Sequence, residues 1–384
     1  GKRLYVTNSG HNEVAVINAA TRKVIGDIPT GWYPTQVLAH DGKLSITSAK
    51  GLGAGPNNGP GHPNPTDPRD TAENQYSGSM IKGLLSTVSE PDAATLAKLT
   101  ATVEKNNTAN DPARSSAVPN QIGTTSSKIK HVIYIVRENR TFDQELGSNG
   151  RGNADPSLNL FGEESAPNTR ALARQFTTFD NFYADAEVSA NGWNWVSQAN
   201  SNPWSEEMWP SNYSGRGAPY PAENNDPESR AKEHDSYFWE HLSKNNISFR
   251  NYGFYTTLDK KGKAHGVDKK ILDPNTDHDF IGWSLDCPDS ARSFAPMAKN
   301  CGPKSRVDEW KSDFNKQLAK GSVPTVQLVR FGNDHTQATK VGVPTPQAYV
   351  ADNDQAIGQL VETVSHSPIW KDTAIFLTED DAQN

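Results

Sequence analysis

The chain has 384 residues, with 38 Lys and Arg against 45 Asp and Glu and a formal net charge of −7. That length exceeds what one hydrophobic core usually organises, so more than one domain is expected. The acidic balance, with no basic run longer than DKKGK, argues against a nucleic-acid partner, and no stretch approaches the roughly 20 apolar residues of a membrane-crossing helix.

The first segment contains a repeat. GKRLYVTNSG at 1–10 returns as GKLSITSAKG at 42–51, and NEVAVINAATRKVIGDIPTG between them reads as two short strands and a turn. A period of about 40 residues with several short strands is the pattern of a β-propeller blade. One blade cannot bury its own faces, so further blades are expected upstream of Gly1. The opening residues do not have the parts of a secretory leader, and the compartment is therefore read from cysteine usage. The motif at Tyr5–Asn8 resembles the repeat of the YVTN family of propellers, which implies a partner-binding part of its own.

Residues 52–75 are too rich in Gly, Pro and Asn for regular structure, and SMIKGLLSTV reads as one more strand. EPDAATLAKLTATVEKNN follows as an amphipathic helix, with Pro91 in its first turn and Leu96, Leu99 and Val103 on one face. A polar linker at about 106–127 closes this region. The expected domains are thus 1–89, the last propeller blades; 90–127, helix and linker; and 128–384, an α/β domain.

From Lys128 apolar strands alternate with helices: HVIYIV, then DSYFWEHLSKNN into ISFRNYGFY, RVDEWKSDFNKQLAKG into TVQLVRF, and PQAYVADNDQAIGQLVETVSHS into TAIFLT. In the last helix Ile357, Leu360, Val361 and Val364 share a face. This alternation predicts a mostly parallel sheet with helices on both faces. Cys287 and Cys301 are the two cysteines and share one Pro- and Ser-rich loop, which points to a disulfide worth about 3 kcal/mol and to a periplasmic or extracellular location.

Ligands of open α/β sheets bind beyond the carboxyl ends of the strands. HVIYIV is followed by Arg137, Glu138, Asn139 and Arg140; TVQLVRF by Gly332, Asn333, Asp334 and His335; TAIFLT by Glu379, Asp380 and Asp381. Carboxylates, a carboxamide and an imidazole delivered to one edge are the ligand chemistry of a divalent metal. Ser189 stands before a short apolar-periodic stretch, at a helix N-terminus, where its hydroxyl serves either as an ordinary N-cap or as a nucleophile. Trp193, Trp195, Trp204 and Trp209 are expected to pack an insertion onto the sheet, and His234, His241, His265 and His278 to be surface histidines without ligand spacing.

IKHVIYIVRENRTFDQELG, SANGWNW, NDHTQAT and PTPQAYVADNDQAIGQLVETVSHSPIWKDTAIFLTEDDAQN together resemble, in order, the phosphoesterase family that includes bacterial phospholipases C and some acid phosphatases, relatives of the alkaline phosphatase superfamily. The resemblance covers 128–384. It implies a divalent metal held by Glu138, Asn139, Asp380 and Asp381, with Ser189 as the nucleophile of a phosphoserine mechanism. His335 is implied beside the metal or the phosphoryl oxygens, and the substrate is a phosphate mono- or diester. Two departures are visible: Trp193 stands where relatives commonly carry His, and the family continues past DDAQN into a histidine-containing segment that the chain does not reach. Weak metal binding and slow or no turnover by this chain are expected on that ground. The competing expectation is a surface or adhesion-type binding protein on a degenerate phosphatase-like scaffold.

Overall fold

The computed structural model describes residues 1–52, 81–107, 128–213, 237–290 and 301–382. The chain divides into two compact units, residues 1–115 and 116–383. Among the described residues no helix is long and apolar enough to cross a membrane.

In the first unit, β1 (Arg3–Asn8), β2 (Glu13–Asn18) and β3 (Lys23–Pro29) form an antiparallel meander. β4 (Pro34–His40), β5 (Lys43–Ser48) and β6 (Leu84–Ser89) form a second one. The two repeated segments are β1 and β5, an edge strand in the first meander and the central strand in the second. The start of SMIKGLLSTV lies outside the described residues. Inward side chains at alternate positions, Val14, Val16, Ile28, Leu44 and Ile46, make one core with Leu96 of α1 (Ala93–Asn107). Val103 is buried as well, and Leu99 packs at the edge of that core, as the helical spacing predicts. Gly26 makes the docking possible, because an added Cβ would stand 2.6 Å from Leu96 Cγ. The helix starts two residues later than its proline suggested. Asp92 Oδ1 accepts from the Thr95 amide at 2.7 Å, so the cap is Asp92 and Pro91 lies before the first turn.

The second unit is built on a four-stranded sheet in the order β12 (Thr373–Glu379), β7 (His131–Arg137), β11 (Val326–Arg330), β8 (Phe249–Tyr252). Every pairing in it is parallel. β7 and β11 are interior strands with apolar side chains toward both faces, which is why they read as continuous apolar runs. Toward one face point Ile133, Ile135 and Val329, packed on Val307, Trp310 and Phe314 of α7 (Arg306–Ala319) and on Ile357, Leu360 and Val364 of α8 (Pro346–Ser365). Toward the other point Val136, Val326 and Leu328, packed on Trp193 of α4 (Ser189–Gln198) and on Trp239 and Leu242 of α6 (Phe238–Lys244). The sheet is therefore an α/β sheet covered on both faces. β12 is its edge strand, and Phe376 is correspondingly 39% exposed.

The second unit also contains α2 (Phe142–Leu146), α3 (Pro167–Gln175), α5 (Pro203–Asn212), and the two-stranded hairpin β9 (Thr256–Leu258) with β10 (Ala264–Gly266). Trp193 and Trp209 are fully buried, as packing of the insertion predicts. Cys287 and Cys301 are joined in a disulfide. Arg306 secures its loop by donating to the carbonyls of Ile281, Gly282, Ser284 and Cys287 and to Asp289.

Candidate active site at the carboxyl edge of the sheet

β7, β11 and β12 end side by side, so the residues that follow them gather at one edge. Glu138 and Asn139 follow β7, Asp380 and Asp381 follow β12, and α4 brings Ser189 up to them. Asn139 takes a left-handed backbone conformation, φ 59°, which Asn tolerates better than most residues. Its amide Nδ2 lies 2.9 Å from Ser189 Oγ, 3.1 Å from Asp380 Oδ1 and 2.6 Å from Asp381 Oδ2. Its backbone N–H also donates to Asp380 Oδ1, at 3.2 Å. Ser189 Oγ in turn donates to Asp381 Oδ2 at 2.9 Å. All of these side chains are buried.

Ser189 is the first helical residue of α4, and its hydroxyl bonds across to Asp381 and Asn139 instead of capping its own helix. Close approach of α4 to the Asp380–Asp381 turn depends on Gly192. A Cβ there would stand 2.3 Å from the carbonyl oxygen of Asp380 and 3.3 Å from Asp381 Cβ.

Glu138 is held from its other side. Arg330 binds Glu138 Oε1 through Nε at 2.7 Å and through Nη2 at 2.5 Å. The Arg330 guanidinium stacks on Trp193 at 4.1 Å and on Trp283 at 4.7 Å. Trp193, the residue that departs from the related motif, thus packs against an arginine and the sheet core. His335 is half-buried on the turn after β11, its ring edge-on to Trp283 at 5.0 Å and its Nδ1 2.8 Å from the Thr336 carbonyl.

Sequence reasoning did not anticipate the layer beneath. Arg137 is buried in a bidentate pair with Glu145, at 2.7 and 2.5 Å, and lies 3.3 Å from Glu379 and 3.5 Å from Asp334. Its Nε donates to Asn353 on α8 at 2.8 Å. Asn353 in turn donates to Asp289, Asp334 and the Phe331 carbonyl, while Asp352 accepts from Asn333 and from the Asp289 and Ser290 amides. Asn333 and Asp334, among the polar residues expected at this edge, serve this network, and Asp334 Oδ2 accepts from the Glu138 amide. Burial pushes Asp334 up to about 7 against the opposing pull of Arg137. Burial likewise raises Glu379 well above the usual carboxylate range, again opposed by Arg137. No sequence signal marks this layer except the polar run Asp352–Asn353–Asp354 within α8.

The residues present fit a divalent cation. The Asp380 and Asp381 carboxylates, the Asn139 carboxamide and the Ser189 hydroxyl are donors a hard or borderline ion takes, whereas Glu138 is engaged by Arg330. Asn139 Oδ1 is buried without a hydrogen bond among the described residues, which is costly unless something electropositive faces it. Glu138, Glu145, Asp334, Glu379, Asp380 and Asp381 outnumber Arg137, Arg140 and Arg330 at this edge.

A search among curated proteins finds none that matches the chain. Among solved structures, a protein in the alkaline phosphatase superfamily from Vibrio parahaemolyticus aligns with a TM-score of 0.42 at 16% identity. The alignment covers 68% of this chain and 56% of that one, so this chain spans little more than half the length of that protein. The Phosphoesterase family model matches residues 148–383, a span that includes Ser189, His335, Asp380 and Asp381 and begins after Glu138 and Asn139. With more than half of its length so matched, the chain belongs to the Phosphoesterase family.

Proposed function

We propose that the chain is a metal-dependent phosphoesterase that hydrolyses phosphate mono- or diesters with Ser189 as its nucleophile. The observation that supports this most is the hydrogen-bonded set of Asn139, Ser189, Asp380 and Asp381 at the carboxyl edge of a parallel sheet. Glu138, Asn139, Asp380 and Asp381 would hold the cation, which when bound supplies positive charge for the phosphoryl oxygens and favours ionisation of the serine. Ser189 starts α4, whose unbonded amides and dipole favour negative charge at its oxygen. Asp381 Oδ2 takes the hydroxyl hydrogen and so turns a lone pair of Oγ away from itself. Attack on phosphorus in line with the ester oxygen forms the P–Oγ bond and breaks the P–O ester bond. The serine proton passes to water, the alcohol leaves with a proton taken from water, and a second water then cleaves the phosphoserine and restores the Ser189 hydroxyl. Arg330 positions Glu138, and His335 is assigned to the phosphoryl side of the same edge.

We read β1–β6 as the last blades of a YVTN-type propeller, supported by the two meanders and the sequence repeat, with a partner of unassigned identity. A periplasmic or extracellular location is supported by the Cys287–Cys301 disulfide.

The test is hydrolysis of p-nitrophenyl phosphate and bis(p-nitrophenyl) phosphate, with and without Mg²⁺, Mn²⁺, Ca²⁺ or Zn²⁺, by the protein and its Ser189→Ala variant. Slow turnover that needs metal and is abolished by the substitution, with metal binding weakened but retained, is the expected result. A folded, metal-loaded wild-type protein that hydrolyses neither ester would turn the reading toward a binding protein on a phosphatase-like scaffold.

A further inference from the structure

The segment DKKGKAHGVDKKILDPNTDHD, residues 259–279, has no recognisable ligand spacing, yet the fold draws two of its histidines together. His265 lies in β10, and Asp273 opens the short helical turn Asp273–Asn275. One nitrogen each of His265 and His278 and one oxygen of Asp273 lie within 4.8 Å of one another. The two rings are 4.5 Å apart at 41°.

Each group is held in place by the backbone around it. Asp273 reaches β10 because residue 266 is glycine: a Cβ there would stand 2.8 Å from the Asp273 amide nitrogen. The Gly266 amide donates to Asp273 Oδ1 at 2.8 Å. His278 is tied to Ala264 twice, since its carbonyl accepts from the Ala264 amide at 2.9 Å and its Nδ1 lies 2.6 Å from the Ala264 carbonyl. A carbonyl can only accept, so the proton sits on His278 Nδ1 and the lone pair on Nε2. A ring nitrogen donating to a backbone carbonyl is the arrangement that orients metal-binding imidazoles.

We propose that His265, Asp273 and His278 form a second cation site, separate from the carboxyl edge, that takes a borderline divalent ion of the zinc class. Two imidazoles and one carboxylate with an open fourth position match that class and disfavour Mg²⁺ and Ca²⁺, which prefer all-oxygen sites. Ligand atoms about 2.0–2.1 Å from a tetrahedral ion stand roughly 3.3 Å apart. His265 Nδ1 already stands 3.2 Å from Asp273 Oδ1, and His278, within 4.8 Å of both, has to turn its ring to bring Nε2 to the ion. The surrounding charges permit a cation. Asp259 lies 3.6 Å from His265 Nε2, Lys263 is paired with Asp279, and Lys269 sits 3.7 Å from the other oxygen of Asp273, leaving coordination to Oδ1. Two imidazolium ions would repel at this separation, whereas two neutral rings carry the lone pairs that an ion needs. Bound there, the ion closes the β9–β10 hairpin onto the turn at Asp273 and acts as a structural clasp.

The experiment uses the chain carrying Asp380→Asn and Asp381→Asn, which weakens the carboxyl-edge site. After loading with Zn²⁺ and dialysis, retained zinc is counted by mass spectrometry, and Co²⁺ replacement is followed by its visible absorption. About one equivalent of zinc and the intense bands of four-coordinate cobalt are expected. Adding His265→Gln and His278→Gln should remove both signals, while excess Mg²⁺ should remove neither. Equal zinc in the histidine variant, or none in its parent, overturns the proposal. If circular dichroism shows that the histidine variant has lost structure, Asp273→Asn decides, because an unchanged cobalt spectrum there also overturns it.

Discussion

The cluster at Ser189 and the cluster at His265 differ in burial and in how their residues are brought together. The first unites side chains as far apart in sequence as Asn139 and Asp381, 242 residues, and seals them from water. The second draws on about twenty consecutive residues of one hairpin and its return, and its side chains stay between 20% and 45% exposed. Charges in the sealed cluster cannot be screened, so each needs a partner, and the supporting layer of Arg137, Glu145, Asn353 and Arg330 supplies them. Charges in the half-exposed cluster keep water as an alternative partner. Removing a partner should therefore be severe at the first and mild at the second.

The largest effect expected is on turnover at the sealed cluster. Asp381→Asn keeps the shape and one acceptor oxygen for Ser189 while removing a charge proposed to hold the cation. Hydrolysis of p-nitrophenyl phosphate should fall by about a thousandfold or more, the scale on which loss of a group acting in the transition state is felt. The metal-free protein should nevertheless unfold at no lower urea concentration, because one carboxylate fewer relieves repulsion at an over-acidic edge. A parallel fall in stability would show that Asp381 holds the fold together and would weaken its assignment to chemistry.

Arg330→Gln comes next. It leaves Glu138 buried without its guanidinium, a loss of about 3–5 kcal/mol for a buried pair of this kind. Urea unfolding monitored by tryptophan fluorescence should show it, and divalent-metal affinity should drop with it. The same urea unfolding repeated in 1 M NaCl should give nearly the same loss, since buried pairs are poorly screened.

Much of the second unit could be read from the chain. The apolar runs of β7 and β11 and the helical spacing of Ile357, Leu360 and Val364 need only local periodicity, and the structure has them where they were expected. Glu138, Asn139, Asp380 and Asp381 were visible because a strand must deliver whatever follows it to the sheet edge. Arg137 and Arg330 were not, because a charged residue closing a strand reads as solvent-facing until its partners are known. The Arg137 partner Asn353 is 216 residues away. His265 and His278 were read as separate surface residues for the same reason, since only the hairpin and Gly266 bring them together.

Gly192→Ala is expected to have an intermediate effect. The new Cβ meets a backbone carbonyl at 2.3 Å, which cannot swing aside as a side-chain tip would. Overpacking of this kind costs about 1–3 kcal/mol, read as a lower urea midpoint. The same displacement of α4 from the Asp380–Asp381 turn should lower kcat more than it raises KM, because it separates Ser189 from Asp381.

The smallest effect is expected at the half-exposed cluster. Asp259 lies 3.6 Å from His265 Nε2, and both side chains are about one-third exposed. Exposed pairs of this type contribute about 0–1 kcal/mol, because water competes for both partners and salt screens what remains. Asp259→Asn should therefore shift the urea midpoint of the metal-free protein by less than Gly192→Ala does, and 1 M NaCl should erase the difference from wild type. A loss as large as that of Arg330→Gln would mean that the hairpin charges are sealed in solution, and the contrast between the two clusters would fail. A shift within experimental error at every salt concentration would sharpen it, because Asp273 would then be the carboxylate that organises the two imidazoles.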